Sequence, residues 1–289
     1  MPAEVSAWSE RGRRVACRAG SVFVRSEPGD GVAVLLLHGY PSSSFDFRGI
    51  VDRLGGRGWI APDFLGFGLS DKPRPHRYSL FEQADLVAEV VAEAGVDSVV
   101  LLAHDMGTSV ATELLARDLD GTLPFTVERA VLSNGSVLLD RASLRPIQRI
   151  LRGPFGFAAA RLANRPLFAR EFAALFSPEH PISRTELAAQ WALLSHADGH
   201  RIAHLLTAYL DERVVHAPRW HGAVRDWPKP LGFLWGTADP VATTAVLRGL
   251  QDLRPAAQVV ELPGLGHYPQ LEDPAAYAAG ARTLLGIDH

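Results

Sequence analysis

A chain of 289 residues, 47% hydrophobic and 21% charged, can bury a large core and suits one large domain or one domain with an insertion. Its net charge of −3 gives no electrostatic reason to expect nucleic acid or an anionic membrane surface as a partner. The single Cys17 excludes an internal disulfide framework and a cysteine-based zinc site, and is read as a strand packing residue in a reducing compartment.

In chain order, residues 1–14 are polar and charged, without the apolar core of a signal peptide. No apolar run approaches the roughly 20 residues of a membrane span, so a cytoplasmic protein is expected. Residues 14–25 alternate around Ala19-Gly20 as a β-hairpin does. Residues 32–37 are continuously apolar, as in a strand buried on both faces, and run into His38-Gly39-Tyr40-Pro41 and a helix start at Ser42-Ser43-Ser44. Residues 59–63 read as the next strand and 64–73 as a glycine-rich loop. Residues 79–94 have helical spacing through Leu80, Ala84, Val87 and Val91. Strands follow at 99–103 and 127–132, with a helix between them.

This alternation predicts a mainly parallel α/β sheet with ligands at the C-terminal strand ends. The rhythm breaks over residues 137–224, which read as helical, rich in Arg and Ala, and punctuated by Pro146, Pro154, Pro166, Pro178 and Pro181. That segment is expected to be a helical cap on a core made of residues 1–136 and 225–289. Strands at 231–235 and 258–262 and helices at 243–253 and 274–285 complete the core.

Three loops at the predicted sheet edge carry chemistry. Val99 to Ala103 followed by His104-Asp105-Met106-Gly107 reads as strand, sharp turn and helix, with Asp105 at the tip where a Ser is usual. Asp239 leaves one later strand and His267 leaves the last. The chain order nucleophile, acid, histidine is that of α/β-hydrolases, so Asp105, Asp239 and His267 are read as a triad. Backbone N–H groups of Met106 and Tyr40 are the candidate oxyanion hole. His196, His200 and His204 share a four-residue spacing, but Asp198-Gly199 is expected to interrupt a helix there, so no metal or cofactor is invoked. The arginines of the cap are read as a solvated face.

His38-Gly39-Tyr40-Pro41, Gly66-x-Gly68-x-Ser70-x-x-Pro73, Ala103-His104-Asp105-Met106-Gly107 and Gly266-His267 together resemble the epoxide hydrolase and haloalkane dehalogenase branch of the α/β-hydrolase family. Residues 63–76, 132–135 and 267–274 are especially similar to the mesoderm-specific transcript protein group. The resemblance implies an α/β-hydrolase fold with a cap and a covalent mechanism. Asp105 would displace a leaving group from saturated carbon, and His267, oriented by Asp239, would direct water onto the resulting ester. It also implies a small apolar epoxide or halide as substrate. Epoxide hydrolases of this branch use cap tyrosines as proton donors. Tyr209 matches one; the other has no match in residues 137–208, leaving Tyr40 or Tyr268 as substitutes. His38 and His104 are further candidates for binding or acid catalysis. Met106 stands where dehalogenases carry a halide-binding Trp, which favours epoxide hydrolysis; dehalogenation would need another donor from Trp191, Trp220 or Trp235. A ligand-binding or sensor protein on a hydrolase scaffold is the alternative from a different class.

Overall fold

The unbroken apolar runs of the central strands have a direct structural cause. In a computed structural model, which describes residues 1–287, β1 (Arg13–Cys17), β2 (Gly20–Glu27), β3 (Asp30–Leu37), β4 (Arg57–Pro62), β5 (Ser98–His104), β6 (Thr126–Ser133), β7 (Leu231–Gly236) and β8 (Gln258–Leu262) form one sheet. Its order is β1-β2-β4-β3-β5-β6-β7-β8. The β1–β2 and β2–β4 pairs are antiparallel and every later pair is parallel. Leu35, Leu37, Leu101 and Ala103 point into one hydrophobic layer, while Val34, Leu36, Val100 and Leu102 point into the opposite one. Both faces are covered, so alternation with polar residues is absent.

The first layer packs against α2 (Leu80–Glu93) and α3 (Met106–Leu119), the second against α1 (Ala3–Glu10) and α13 (Pro274–Leu285). Ser79 caps α2 by accepting from the Phe81 N–H at 3.2 Å. One element is added to the sequence reading and one expectation is corrected. The polar N-terminal stretch forms α1, because Val5 and Trp8 share one buried face and Trp8 stacks on Trp59 with centroids 5.9 Å apart. The helix expected from Ser42 is a single 3₁₀ turn, Ser44–Phe47, whose start is held by the Asp63 carboxylate accepting from the Ser44 N–H at 2.8 Å. Cys17 ends β1 half-buried, and burial followed by the Glu89 charge pushes its thiol up to about 11.

Between β6 and β7 the elements are helical: α4 (Pro146–Arg152), α5 (Gly156–Leu162), α6 (Arg165–Ala173), α7 (Arg184–Ser195), α8 (Ala203–Leu206), α9 (Tyr209–Val215) and α10 (Ala217–Asp226). Pro146 and Pro166 occupy first turns, where a missing N–H costs nothing. Helix α10 lies against α3 and inserts Trp220 and Ala223 into the main hydrophobic layer. The inserted segment is therefore anchored to the core at its C-terminal end. Two short helices, α11 (Thr244–Leu253) and α12 (Pro269–Glu272), accompany the last strands. Among the described residues no helix is long and apolar enough to cross a membrane.

The junction of β5 with α3 is the tightest point of the fold. A Cβ placed on Gly107 would lie 2.3 Å from the Leu37 carbonyl oxygen and 2.6 Å from that of His38, both rigid backbone atoms. A Gly107→Ala variant is therefore expected to lose roughly 1–3 kcal/mol of stability through overpacking, read as a lower urea midpoint. An unchanged midpoint would show that the junction is not close-packed.

Candidate active site

Asp105 occupies the turn between β5 and α3 with φ 45° and ψ −113°, a backbone conformation unfavourable for a residue with a Cβ. The turn is held on several sides. The Asp105 N–H donates to the Ser133 carbonyl at 3.1 Å, and its own carbonyl accepts from the Thr108 hydroxyl at 2.6 Å. Gly39 faces the side chain so closely that a Cβ there would sit 2.6 Å from that of Asp105. This approach lets the Tyr40 N–H donate to Asp105 Oδ2 at 2.8 Å. The Met106 N–H lies in the first turn of α3, where no earlier helical carbonyl can accept from it. Of the two candidate oxyanion-hole donors, the Tyr40 N–H is bonded to the Asp105 carboxylate and the Met106 N–H is the next along the chain.

His267 follows β8 and is buried with the two carboxylates. Its Nδ1–H donates to Asp239 Oδ2 at 2.7 Å, and its Nε2 stands 3.9 Å from Asp105 Oδ1. Asp239 also accepts from the Val241 and Ala242 N–H groups at 2.7 and 2.9 Å and from Asn134 Nδ2 at 2.8 Å. Burial alone would raise the Asp239 carboxyl; the His267 charge and these donors outweigh it and hold it below the usual carboxylate range. For His267, burial opposes protonation but the Asp239 and Asp105 charges prevail and lift the imidazole to about 9. The structure therefore brings Asp105, Asp239, His267, Tyr40 and Met106 into one place.

The two remaining histidine candidates do other work. His38 Nδ1–H donates to the Gly39 carbonyl at 2.8 Å and its Nε2 accepts from the Phe64 N–H at 2.9 Å, which joins the loops after β3 and β4. His104 Nε2–H donates to the His267 carbonyl at 2.7 Å, and burial lowers its imidazole to about 4. Both rings are buried among loops and neither lines the apolar cavity. Their geometry is that of loop clamps rather than of substrate groups. His196, His200 and His204 do not share a helix face, because α7 ends at Ser195 and Ala197 and Asp198 adopt left-handed backbone. Only His200 of these reaches the cavity.

Tyr209, at the start of α9, is buried with its ring 5.8 Å from that of Tyr40. Burial first, then the Asp105 charge, holds both phenols above their ordinary range, so both remain O–H groups. Gln148 donates weakly to the Tyr209 oxygen at 3.4 Å, leaving the phenolic proton free for another acceptor. Tyr268 instead spends its hydroxyl on the Tyr40 carbonyl at 3.1 Å. An apolar cavity of about 120 Å³ lies between helices α4–α7 and the sheet edge, bordered by Tyr40, Ile147, Leu167, Phe168, Trp191 and His267.

Two residues of the site escaped the sequence reading. Asn134, with φ 44° after β6, bridges Asp239 to the Gly236 backbone. Its signal was the polar Ser-Asn-Gly exit of an apolar strand. Arg213 corrects the view of the cap arginines as a solvated face. It is buried, its Nε donates to Ser109 Oγ at 2.8 Å and its Nη2 to the Asp105 carbonyl at 3.3 Å, and its guanidinium lies 4.6 Å from the Tyr209 ring centroid. Nothing in local sequence separates it from the exposed arginines except its i,i+4 relation to Tyr209.

This fold and this edge of polar residues define a hydrolase scaffold, and the comparisons agree. A model of the alpha/beta hydrolase fold family matches residues 32–274, so the chain belongs to that family. Among its relatives is a Mycobacterium tuberculosis protein called "Putative hydrolase LipZ", 66% identical over 281 residues, 97% of this chain and 98% of that protein. The human mesoderm-specific transcript homolog protein is 37% identical over 255 residues, 84% of this chain and 76% of its own length. In structure the chain is similar to haloalkane dehalogenase DbeA from Bradyrhizobium elkani, with TM-score 0.80 and 26% identity over 96% of this chain and 98% of that one.

The His267–Asp239 pair has a defined pH signature. Because the folded imidazole is raised to about 9, its contribution to stability is complete below the unfolded value of about 6.5 and is lost as pH rises through the folded value. The urea midpoint of the wild-type protein is expected to fall across that window by more than the midpoint of His267→Gln. Equal falls in the two proteins would contradict the raised imidazole.

Proposed function

We propose that this chain is a hydrolase that attacks an electrophilic carbon with Asp105 and passes through an alkyl ester of that residue, and that its substrates are epoxides. The carrying observation is the Asp105 carboxylate bracketed by the Tyr40 N–H at 2.8 Å and His267 Nε2 at 3.9 Å. A carboxylate is already ionised at neutral pH and needs no base to act as nucleophile. Asp105 Oδ1 forms the new C–O bond while the ring C–O bond breaks, and the Tyr209 phenol gives its proton to the leaving oxygen. Tyr40 lies beside it as a second phenolic donor.

Ester formation removes the Asp105 charge, one of the influences that hold the His267 imidazole high. The ring then releases its proton, which restores the Tyr209 phenol, and in neutral form takes a proton from water. The hydroxide adds to the Asp105 carbonyl carbon, and the Tyr40 and Met106 N–H groups stabilise the oxyanion. Collapse expels the diol oxygen, which takes the proton of the newly formed Asp105 carboxyl, so that the carboxylate and the imidazolium of the starting state are regenerated.

The disposition of N–H donors supports an epoxide over a halide. Trp220 Nε1 donates to Glu113 at 3.0 Å and Trp235 Nε1 to the Ala242 carbonyl at 2.8 Å, so neither indole is available to a departing halide. The Met106 side chain has no donor. Trp191 alone of the candidates borders the cavity, and it is the observation that favours haloalkane hydrolysis as a second reading, together with the similarity to DbeA.

Incubation of His267→Gln with styrene oxide, followed by intact-protein and peptide mass measurement, is expected to show an adduct on Asp105 equal to the whole epoxide. An adduct formed from a haloalkane, with halide released and no epoxide adduct, would favour the second reading. Wild-type turnover without any adduct on Asp105 in the variant would falsify the covalent route. Tyr209→Phe is expected to lower kcat for epoxides by about 10²–10⁴-fold, the usual worth of a positioned general acid. It should leave Asp105 alkylation by a haloalkane, whose leaving group needs no proton, nearly unchanged.

A further inference from the structure

Helices α4 and α5 are apolar on both faces, and only one of those faces is accounted for. Ile147, Leu151, Ala159 and Ala163 look inward onto the cavity. Outward, Ile150, Phe155, Phe157 and Leu162 are 49, 76, 59 and 73% exposed. Two exposed phenylalanines on one short hairpin exceed the scattered apolar residues of an ordinary surface.

The charge around them is as one-sided as the apolarity. Residues 141–170 contain seven arginines and no Asp or Glu, in a chain of net charge −3. Four of those arginines are paired with three carboxylates: Arg141 with Asp252, Arg145 and Arg170 with Glu171, and Arg152 with Asp211. Arg149, Arg161 and Arg165 are exposed and form no ion pair among the described residues. Arg161 lies 5.5 Å from the Phe157 ring, so cation and aromatic ring present together.

We propose that this face of the cap docks on an anionic lipid surface, with Phe155, Phe157 and Leu162 in the apolar boundary and the three unpaired arginines at the headgroups. The charge decides among occupants. In a two-fold dimer the same patch meets itself and would set unpaired arginines against one another. Anionic headgroups complement them, and long arginine stems add apolar contact while keeping the guanidinium in water. The chain-wide charge, which gave no reason to expect such a surface, averages over a strongly segregated segment. Since the helices that dock also wall the cavity, an apolar compound dissolved in the surface would meet the cavity without crossing water.

The test is co-sedimentation of the full chain with phosphatidylcholine vesicles, with and without phosphatidylglycerol, at low and high salt. Binding is expected only to the anionic vesicles, to weaken with salt, and to fall by about fivefold for each of Arg149→Gln, Arg161→Gln and Arg165→Gln. Phe155→Ser combined with Phe157→Ser should abolish it, with an unchanged far-UV spectrum and unchanged turnover of a freely soluble substrate. Absence of wild-type binding, or binding indifferent to lipid charge and to these substitutions, would overturn the proposal. So would a dimer in sedimentation that the double phenylalanine variant dissolves while vesicles bind nothing, since the face would then be a self-association surface.

Discussion

The site depends on a close approach of three backbone segments at the end of β5. Asp105 holds a strained conformation because the chain on either side of it has no room to relax. Gly107 rests on the Leu37 and His38 carbonyls, and Gly39 rests on the Asp105 side chain. Strain of this kind persists only where the surroundings over-determine it. The consequence is functional: the same contact that forbids a Cβ on Gly39 delivers the Tyr40 N–H to the carboxylate. Packing and electrostatics at this point are one arrangement.

Around that junction the polar groups are ordered outward. Asp239 is saturated by His267, Asn134 and two backbone N–H groups, so it stays charged and fixes the imidazole tautomer. His104 holds the backbone of His267 and His38 ties the neighbouring loops, each through a neutral ring. Arg213 gives the rear of the turn a buried cation with no carboxylate beside it within ion-pair distance among the described residues. A buried charge is costly without compensation. Here compensation comes from the Asp105 carbonyl, the Ser109 hydroxyl and the π face of Tyr209, which ties helix α9 to the turn between β5 and α3.

The inserted helical segment is held in place by charge at other points as well. Glu212 accepts from the Leu80 N–H at 2.7 Å, so a carboxylate of α9 sits at the N-terminus of α2, where a helix favours negative charge. Glu113 of α3, itself buried, receives Arg117, Arg219 and the Trp220 indole. These bonds fasten the C-terminal half of the inserted segment, α9 and α10, to the core. The N-terminal half, from α4 to the start of α6, carries the exposed phenylalanines and the unpaired arginines. The fastened elements and the exposed apolar residues thus lie at opposite ends of one insertion.

The sequence by itself determined the alternation of strands and helices, the loops at which Asp105, Asp239 and His267 leave the sheet, and their order along the chain. Strand ends are local features, written in a switch from β-branched apolar residues to Gly, Asp and Asn, and three such switches locate the loops that meet at the candidate site. The helix at residues 3–10 was not legible, because only Val5 and Trp8 carry its buried face and their partner Trp59 is remote in sequence. Tertiary structure alone decided which of many arginines lies inside, which tryptophan N–H groups are already bonded, and that His38 and His104 bind backbone rather than the cavity. Each of those outcomes depends on a partner tens of residues or more away. A side chain's chemical type is fixed locally, whereas its partner and its burial are fixed only when distant segments meet.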